Sequence, residues 1–197
     1  MRELSLHILD IAENGIAAGA DCIHIQVEEA RDRDLLTIKI TDNGRGMPAE
    51  KIEKLADPFV TTRTTRRVGL GLSLIAAAAE RCEGKLEVKT ETGIGTEVIA
   101  TFRYSHIDRA PMGDIASSIT TLIMGNPQSD FVYTHIVNGE DFNLDTRELK
   151  KELGDLSLTD PSIIHHLTQS IRNSLVRMIA DSDRSGIKEE HHGEADD

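Results

Sequence analysis

Asp10 and Asn14 stand one helical turn apart near the start of this chain, and residues four apart share a helix face. An amide oxygen such as that of Asn14 can complete the octahedral shell of Mg²⁺ beside phosphate oxygens and waters. A carboxylate one turn earlier can orient a water for attack, or only hold one in the metal's shell. Further along comes Asp42-Asn-Gly44-Arg-Gly46. A carboxylate there can accept a hydrogen bond from the 6-amino group of adenine, which guanine cannot donate. The glycines let backbone approach a nucleotide closely, although Asp-Asn-Gly is also ordinary turn chemistry. Gly69-Leu-Gly71-Leu72 opens an apolar helical run whose first amides can face phosphate. Arg63, Arg66 and Arg67 just before it can pair with phosphates or form a solvated basic loop. Gly93-Ile-Gly-Thr96 closes the series. In this order the segments read as a site for ATP. No Gly-x-x-x-x-Gly-Lys-Ser/Thr occurs, so the phosphates are not held by a Walker loop.

The elements that must carry these residues follow from periodicity. Leu4, Ile8, Ile11 and Ala12 form one stripe, so residues 2 to 19 are a helix that Gly19 ends. Ile23, Ile25 and Val27 alternate with polar residues and predict a half-buried strand over 21–29. A charged turn leads to a second strand over 35–41, then a loop over 42–48 and a short helix over 49–55. Residues 70–81 are helical. Strands over 85–90 and 96–104 flank a Gly-rich turn. Helices and strands interleaved in this way predict an α/β fold, a two-layer sandwich with helices on one face of the sheet. After Tyr104 come a helix over 112–124 and strands over 130–137 and 142–145 around the hairpin signal Asn138-Gly139. A short helix over 146–153 capped by Asp145 follows, then a helix that starts at Asp160-Pro161 and runs to about residue 180.

The four segments resemble the N, G1, F, G2 and G3 boxes of the GHKL superfamily, the Bergerat fold of gyrase, the large heat-shock chaperone, histidine kinases and mismatch-repair ATPases. The resemblance covers residues 1–104. It implies that Asn14 holds Mg²⁺, that Asp42, Gly44 and Gly46 surround adenine, and that Thr96 lines the same pocket. It implies an ATP lid from Phe59 to Val68 whose Arg63 and Arg66 meet the phosphates, followed by Gly69, Gly71 and Leu72 at the helix start that faces them. Asp10 matches the general-base position of gyrase-like and mismatch-repair ATPases, which is Glu there. The wording Glu13-Asn14-Gly-Ile-Ala-Ala-Gly19 is similar to the mismatch-repair N box, while Asp57-Pro-Phe59 and the lid resemble histidine kinases. Ser105-His106-Ile-Asp108-Arg109-Ala-Pro111 resembles the kinase phosphoacceptor motif, with the acid one place late. It lies after the ATP-binding segments, so transfer to His106 needs two subunits or a flexible joint at 104–109. A Pro-containing turn explains the same string.

The resemblance thus implies an ATP-dependent kinase acting on a partner protein or on a second copy in a homodimer. The alternatives are an ATP-hydrolysing switch and a nucleotide-sensing adaptor. Three segments are expected: an ATP-binding domain over 1–104, a small α+β module over 105–181 and an acidic, disordered tail over 182–197. The formal net charge of −12 opposes binding to nucleic acid. The longest apolar run is too short to span a bilayer, no signal peptide opens the chain, and two cysteines make no disulfide framework. A reducing cytoplasm is the expected home.

Overall fold

The computed structural model describes residues 3–47 and 70–190. Its elements are α1 (Leu4–Ala17), β1 (Cys22–Ala30), β2 (Leu35–Asp42), α2 (Leu70–Arg81), β3 (Lys85–Glu91), β4 (Gly95–Arg103), α3 (Ile115–Gly125), β5 (Asp130–Val137), β6 (Glu140–Asp145), α4 (Thr146–Leu153) and α5 (Pro161–Glu190). The expected short helix over 49–55 lies outside the described residues. The strands form one mixed sheet in the order β3-β4-β2-β1-β5-β6. β1 runs parallel to β5, and the other neighbours are antiparallel.

Alternation along the strands decides the layering. Ile23, Ile25 and Val27 of β1 point to the same face as Leu36, Ile38 and Ile40 of β2 and Val98, Ala100 and Phe102 of β4. All are buried in one core with Leu4, Ile8 and Ile11 of α1, Ile75 and Ala79 of α2, and Ile119 and Leu122 of α3. The opposite face is polar and carries ion pairs from Glu97 to Lys39 and Lys89. This is the expected two-layer α/β arrangement.

The expected boundary at residue 104 falls inside this single sheet and core. β5 pairs with β1 over Cys22–Glu29, and Phe131, Tyr133 and Leu144 join the same cluster. A parallel partner reached through a helical crossover leaves no mark in local sequence. The end of α5 also departs from expectation. It continues to Glu190, past the start of the predicted disordered tail. Ser182 accepts a hydrogen bond from Asn138 in the β5–β6 turn at 2.7 Å, which fixes this part of the helix.

A buried polar chain ties the two halves together. Tyr133 Oη donates to His135 Nδ1 at 2.6 Å, and His135 Nε2 donates to Glu29 Oε1 at 3.1 Å. The ionised carboxylate can only accept, which sets that direction. Arg31 Nη2 donates to Glu29 Oε2 at 3.1 Å, and the guanidinium groups of Arg31 and Arg109 lie 5.3 and 4.6 Å from the centre of the Tyr104 ring. Burial opposes the Glu29 charge, but the bonds from His135 and Arg31 outweigh it and hold the carboxyl at about 2. An ordinary glutamate in the unfolded chain takes up protons first, so this stabilisation is present above about pH 4.5 and is lost as pH falls toward 2. Glu29→Gln removes the charge and sets an NH₂ donor against either His135 or Arg31 where each now has an acceptor, and is expected to cost roughly 3–5 kcal/mol. Urea melts at pH 7 and pH 3 check this: the deficit of the variant shrinks at pH 3. An equal deficit at both would mean the charge is not what matters.

Candidate functional site

The predicted residues Asp10 and Asn14 lie on the side of α1 that meets α2. A Cβ built on Gly71 would stand 3.3 Å from Asp10 Cβ and 3.8 Å from Asn14 Nδ2. The missing side chain at Gly71 therefore brings the first turn of α2 against both polar groups. Its first backbone amides have no partner further back along the helix. His7, one turn before Asp10, is buried, and burial holds its imidazole below its ordinary range. It packs as a neutral ring.

Asp42 ends β2 beside α1. Gly15 permits this, since a Cβ there would come within 2.9 Å of Asp42 Cβ. Sequence reading passed over Gly15, although a glycine inside a helical pattern is a signal for close packing. Burial pushes the Asp42 carboxyl up, against the backbone amides of Gly44 and Thr96, which favour its charge. The Gly44 amide donates to Asp42 Oδ1 at 2.9 Å. Asp42 pairs with Thr96 across β2 and β4.

The loop after β2 and the turn between β3 and β4 lock into one another. The Arg45 amide bonds to Ala18 O at 3.0 Å, and the Gly93 amide to Arg45 O at 2.8 Å. Thr90 Oγ1 accepts from the Met47 amide at 2.8 Å, donates to Gly95 O at 2.9 Å and lies 3.1 Å from Thr96 Oγ1. Thr90 is a second omission of sequence reading; its only signal is a polar residue on the inward side of β3. Gly95 adopts φ of 139°, and a Cβ there would fall 2.0 Å from Asp42 O. Gly95→Ala is therefore expected to displace Asp42 and cost roughly 3 kcal/mol or more of stability. A thermal melt and a nucleotide titration check it; a variant with wild-type values in both would remove Gly95 from this account.

These elements enclose a cavity of about 100 Å³ lined by Asn14, Asp42, Gly46, Leu72 and Thr96, with Ile11, Gly15, Ala18, Met47 and Val98 as further walls. Of the predicted residues, Asp10, Asn14, Asp42, Gly44, Gly46, Gly71, Leu72 and Thr96 converge on this corner. Phe59, Arg63, Arg66 and Gly69 lie outside the described residues. Apolar walls with one buried carboxylate at the end suit a flat heterocycle with an amino group, and the polar corner at Asp10, Asn14 and Gly71 sits beside them.

A family model described as histidine kinase-, DNA gyrase B- and HSP90-like ATPase matches residues 2–106. The chain belongs to that family. Among curated proteins, this chain is 42% identical over 74 residues to a probable C4-dicarboxylate sensor kinase of Halalkalibacterium halodurans, covering 38% of this chain and 14% of that protein. It is 29% identical over 94 residues to sporulation kinase C of Bacillus subtilis, covering 48% and 22%. The chain thus spans less than a quarter of the length of these relatives. The solved N-terminal domain of a DNA repair protein superposes with a TM-score of 0.51 at 18% identity, covering 74% of this chain and 53% of that one, a likeness of fold. The GHKL fold and its ATP-binding domain are therefore present, and the cavity lies within the residues that the family model matches.

His106 lies elsewhere. It follows the far end of β4, and Thr96 to Arg103 spans roughly 24 Å of extended strand. Its Nδ1 accepts from the Asp108 amide at 3.2 Å, and Nε2 stands 3.8 Å from Glu83. The joint at 104–109 is tied down rather than loose. Asp34 accepts from the Ser105 amide and hydroxyl at 2.7 and 2.8 Å, and Arg109 Nε donates to Tyr104 O. Among the described residues no helix is long and apolar enough to cross a membrane.

Proposed function

We propose that this chain binds Mg²⁺–ATP and transfers the terminal phosphate to a protein partner. The observation that carries the reading is the convergence of Asp10, Asn14 and Gly71 beside a cavity closed by Asp42. Asp42 accepts the adenine amino group, and Leu72 and Ile11 cover the ring. Asn14 Oδ1 turns toward the phosphates as the metal's protein ligand. Bound Mg²⁺ would neutralise phosphate charge and hold the terminal group in line for attack. The α2 amides after Gly71 stabilise charge on the same oxygens. Arg63, Arg66 and the segment from Phe59 supply further cations and the cover that keeps water out. The sensor-kinase names of the similar proteins support transfer to protein over release to water.

A second reading rests on Asp10. A carboxylate one turn from the metal ligand can orient water, which makes the chain an ATP-hydrolysing switch. Incubation with ATP labelled at the γ-phosphate separates the two. Label on a protein supports the kinase, free labelled phosphate the switch, and neither would leave a nucleotide-sensing adaptor. His106 is a candidate acceptor only from ATP held by a second copy, given its distance from the cavity and its tied joint. The expected result is therefore label on His106 that rises with the square of protein concentration at high dilution, where the chain is monomeric. Label on His106 that stays linear in concentration where the chain is shown to be monomeric would refute transfer between copies.

A further inference from the structure

The open face of the sheet carries a second group of reactive side chains directly behind the nucleotide pocket. Cys22 Sγ lies 3.4 Å from His24 Nε2 on the solvent side of β1. Both line a cavity of about 590 Å³ together with Thr41, Lys89 and Ile94, a volume in the range of small-molecule sites. Cys22 is half-buried, whereas the other thiol, Cys82, is buried. The same cavity reaches Asp42 and Thr96, the strand pair that also closes the nucleotide pocket. Asn43, next to Asp42, accepts from the amides of Asp21 and Cys22 at 3.1 and 3.0 Å and donates to Asp21 Oδ1 at 2.6 Å. A displacement at Cys22 is therefore felt at Asp42 through one residue.

We propose that Cys22 and His24 form a thiol-modification site for small-molecule disulfides, and that the adduct weakens nucleotide binding from behind the pocket. The second half rests on the ATP-site reading above. The chemistry is thiol–disulfide exchange. His24 Nε2, unprotonated, takes the Cys22 thiol proton as Sγ attacks one sulfur of the disulfide. The S–S bond breaks, the leaving thiolate collects the proton from His24, and the products are a mixed disulfide at Cys22 and one free thiol. His24 is needed because little thiolate exists beforehand. Burial pushes the Cys22 thiol up, Arg147 from α4 pulls it down, and Asp130 of β5, Asp145 of β6 and Asp21 push it up. Arg147 is bound to Asp145, and Lys150 to Asp130, so these charges are largely matched. Thr41 of β2 and Asn43 just after it are neutral, while Asp42, Lys89, Glu91 and Glu97 line other parts of the cavity. The adduct occupies the 590 Å³ cavity and presses on the Asn43–Asp42 step.

The test uses the full chain and oxidised glutathione, followed by intact-mass and peptide mass spectrometry. The adduct is expected on Cys22 and absent from Cys82. His24→Asn should slow its formation roughly 10-fold or more at pH 7, because the base is lost, and by less than about 2-fold at pH 10, where the thiol ionises without help. Equal rates for the variant at pH 7, or equal labelling of Cys82, overturn the site. The adducted protein should bind ATP at least about 10-fold more weakly than the reduced form, with recovery on adding reductant and no response in Cys22→Ser. Unchanged affinity in fully adducted protein overturns the coupling. Failure of the reduced protein to bind ATP would refute the ATP-site reading instead, and the rates would still decide the thiol chemistry.

Discussion

Asp42→Asn is expected to weaken ATP binding by roughly 10- to 100-fold, the worth of a hydrogen bond to a charged acceptor in a closed site. The preference for ATP over GTP should shrink with it. The amide that replaces the carboxylate has a donor where the adenine amino group also needs an acceptor. The melting temperature of the free protein should not fall. Burial pushes the Asp42 carboxyl up, so its charge costs stability near neutral pH, and the neutral isostere removes that cost. The sign for binding is the opposite. ATP affinity of the wild type should decline in acid as Asp42 takes a proton, and the variant should lack that decline. Titration calorimetry of both proteins with ATP and GTP, across pH 5 to 8, reads all of this. Equal ATP and GTP affinities in the wild type would remove Asp42 from the adenine site.

The parts of this site that sequence made legible are those set by local rules. Asp10 and Asn14 share a face because the helix repeats every 3.6 residues. Asp42 falls at a strand end because alternation stops there. The hairpin at Asn138-Gly139 is legible because both residues adopt positive φ, 46° and 90°, which those two types tolerate. What stayed hidden depends on distant partners. The alternation of Phe131, Tyr133 and Val137 announces a half-buried strand, but not that it lies beside β1. His135 and Glu29 break the apolar pattern at inward positions and look like errors until they meet. Gly15 and Thr90 each serve one contact from another element, Asp42 and Met47. The segment 104–109, whose flexibility is one of the two routes for transfer to His106, is tied because Asp34, a residue in the turn before β2, reaches Ser105 across 71 positions.

Asp10→Asn is the substitution with the largest expected effect on turnover. Release of phosphate to water should fall by roughly 10²- to 10⁴-fold, the range for loss of a positioned base. ATP affinity should stay within a few-fold, because such a group acts mainly in the transition state. The geometry favours a clean outcome. Asn has nearly the shape of Asp, and its Cβ, which a Cβ built on Gly71 would approach to 3.3 Å, is unchanged, so α2 keeps its place against α1. The neighbour Asn14, the proposed metal ligand, is untouched. Transfer to a protein need not suffer equally, since a histidine acceptor brings its own nucleophilic nitrogen and needs no base to make one. Measuring both fluxes in one reaction therefore ranks the two functions. Loss of hydrolysis with protein labelling retained assigns Asp10 to a side reaction with water and leaves a kinase. Loss of both assigns it to alignment of the terminal phosphate itself. Hydrolysis that survives at the wild-type rate would show that Asp10 serves packing against α2, and the water-activating reading would be withdrawn.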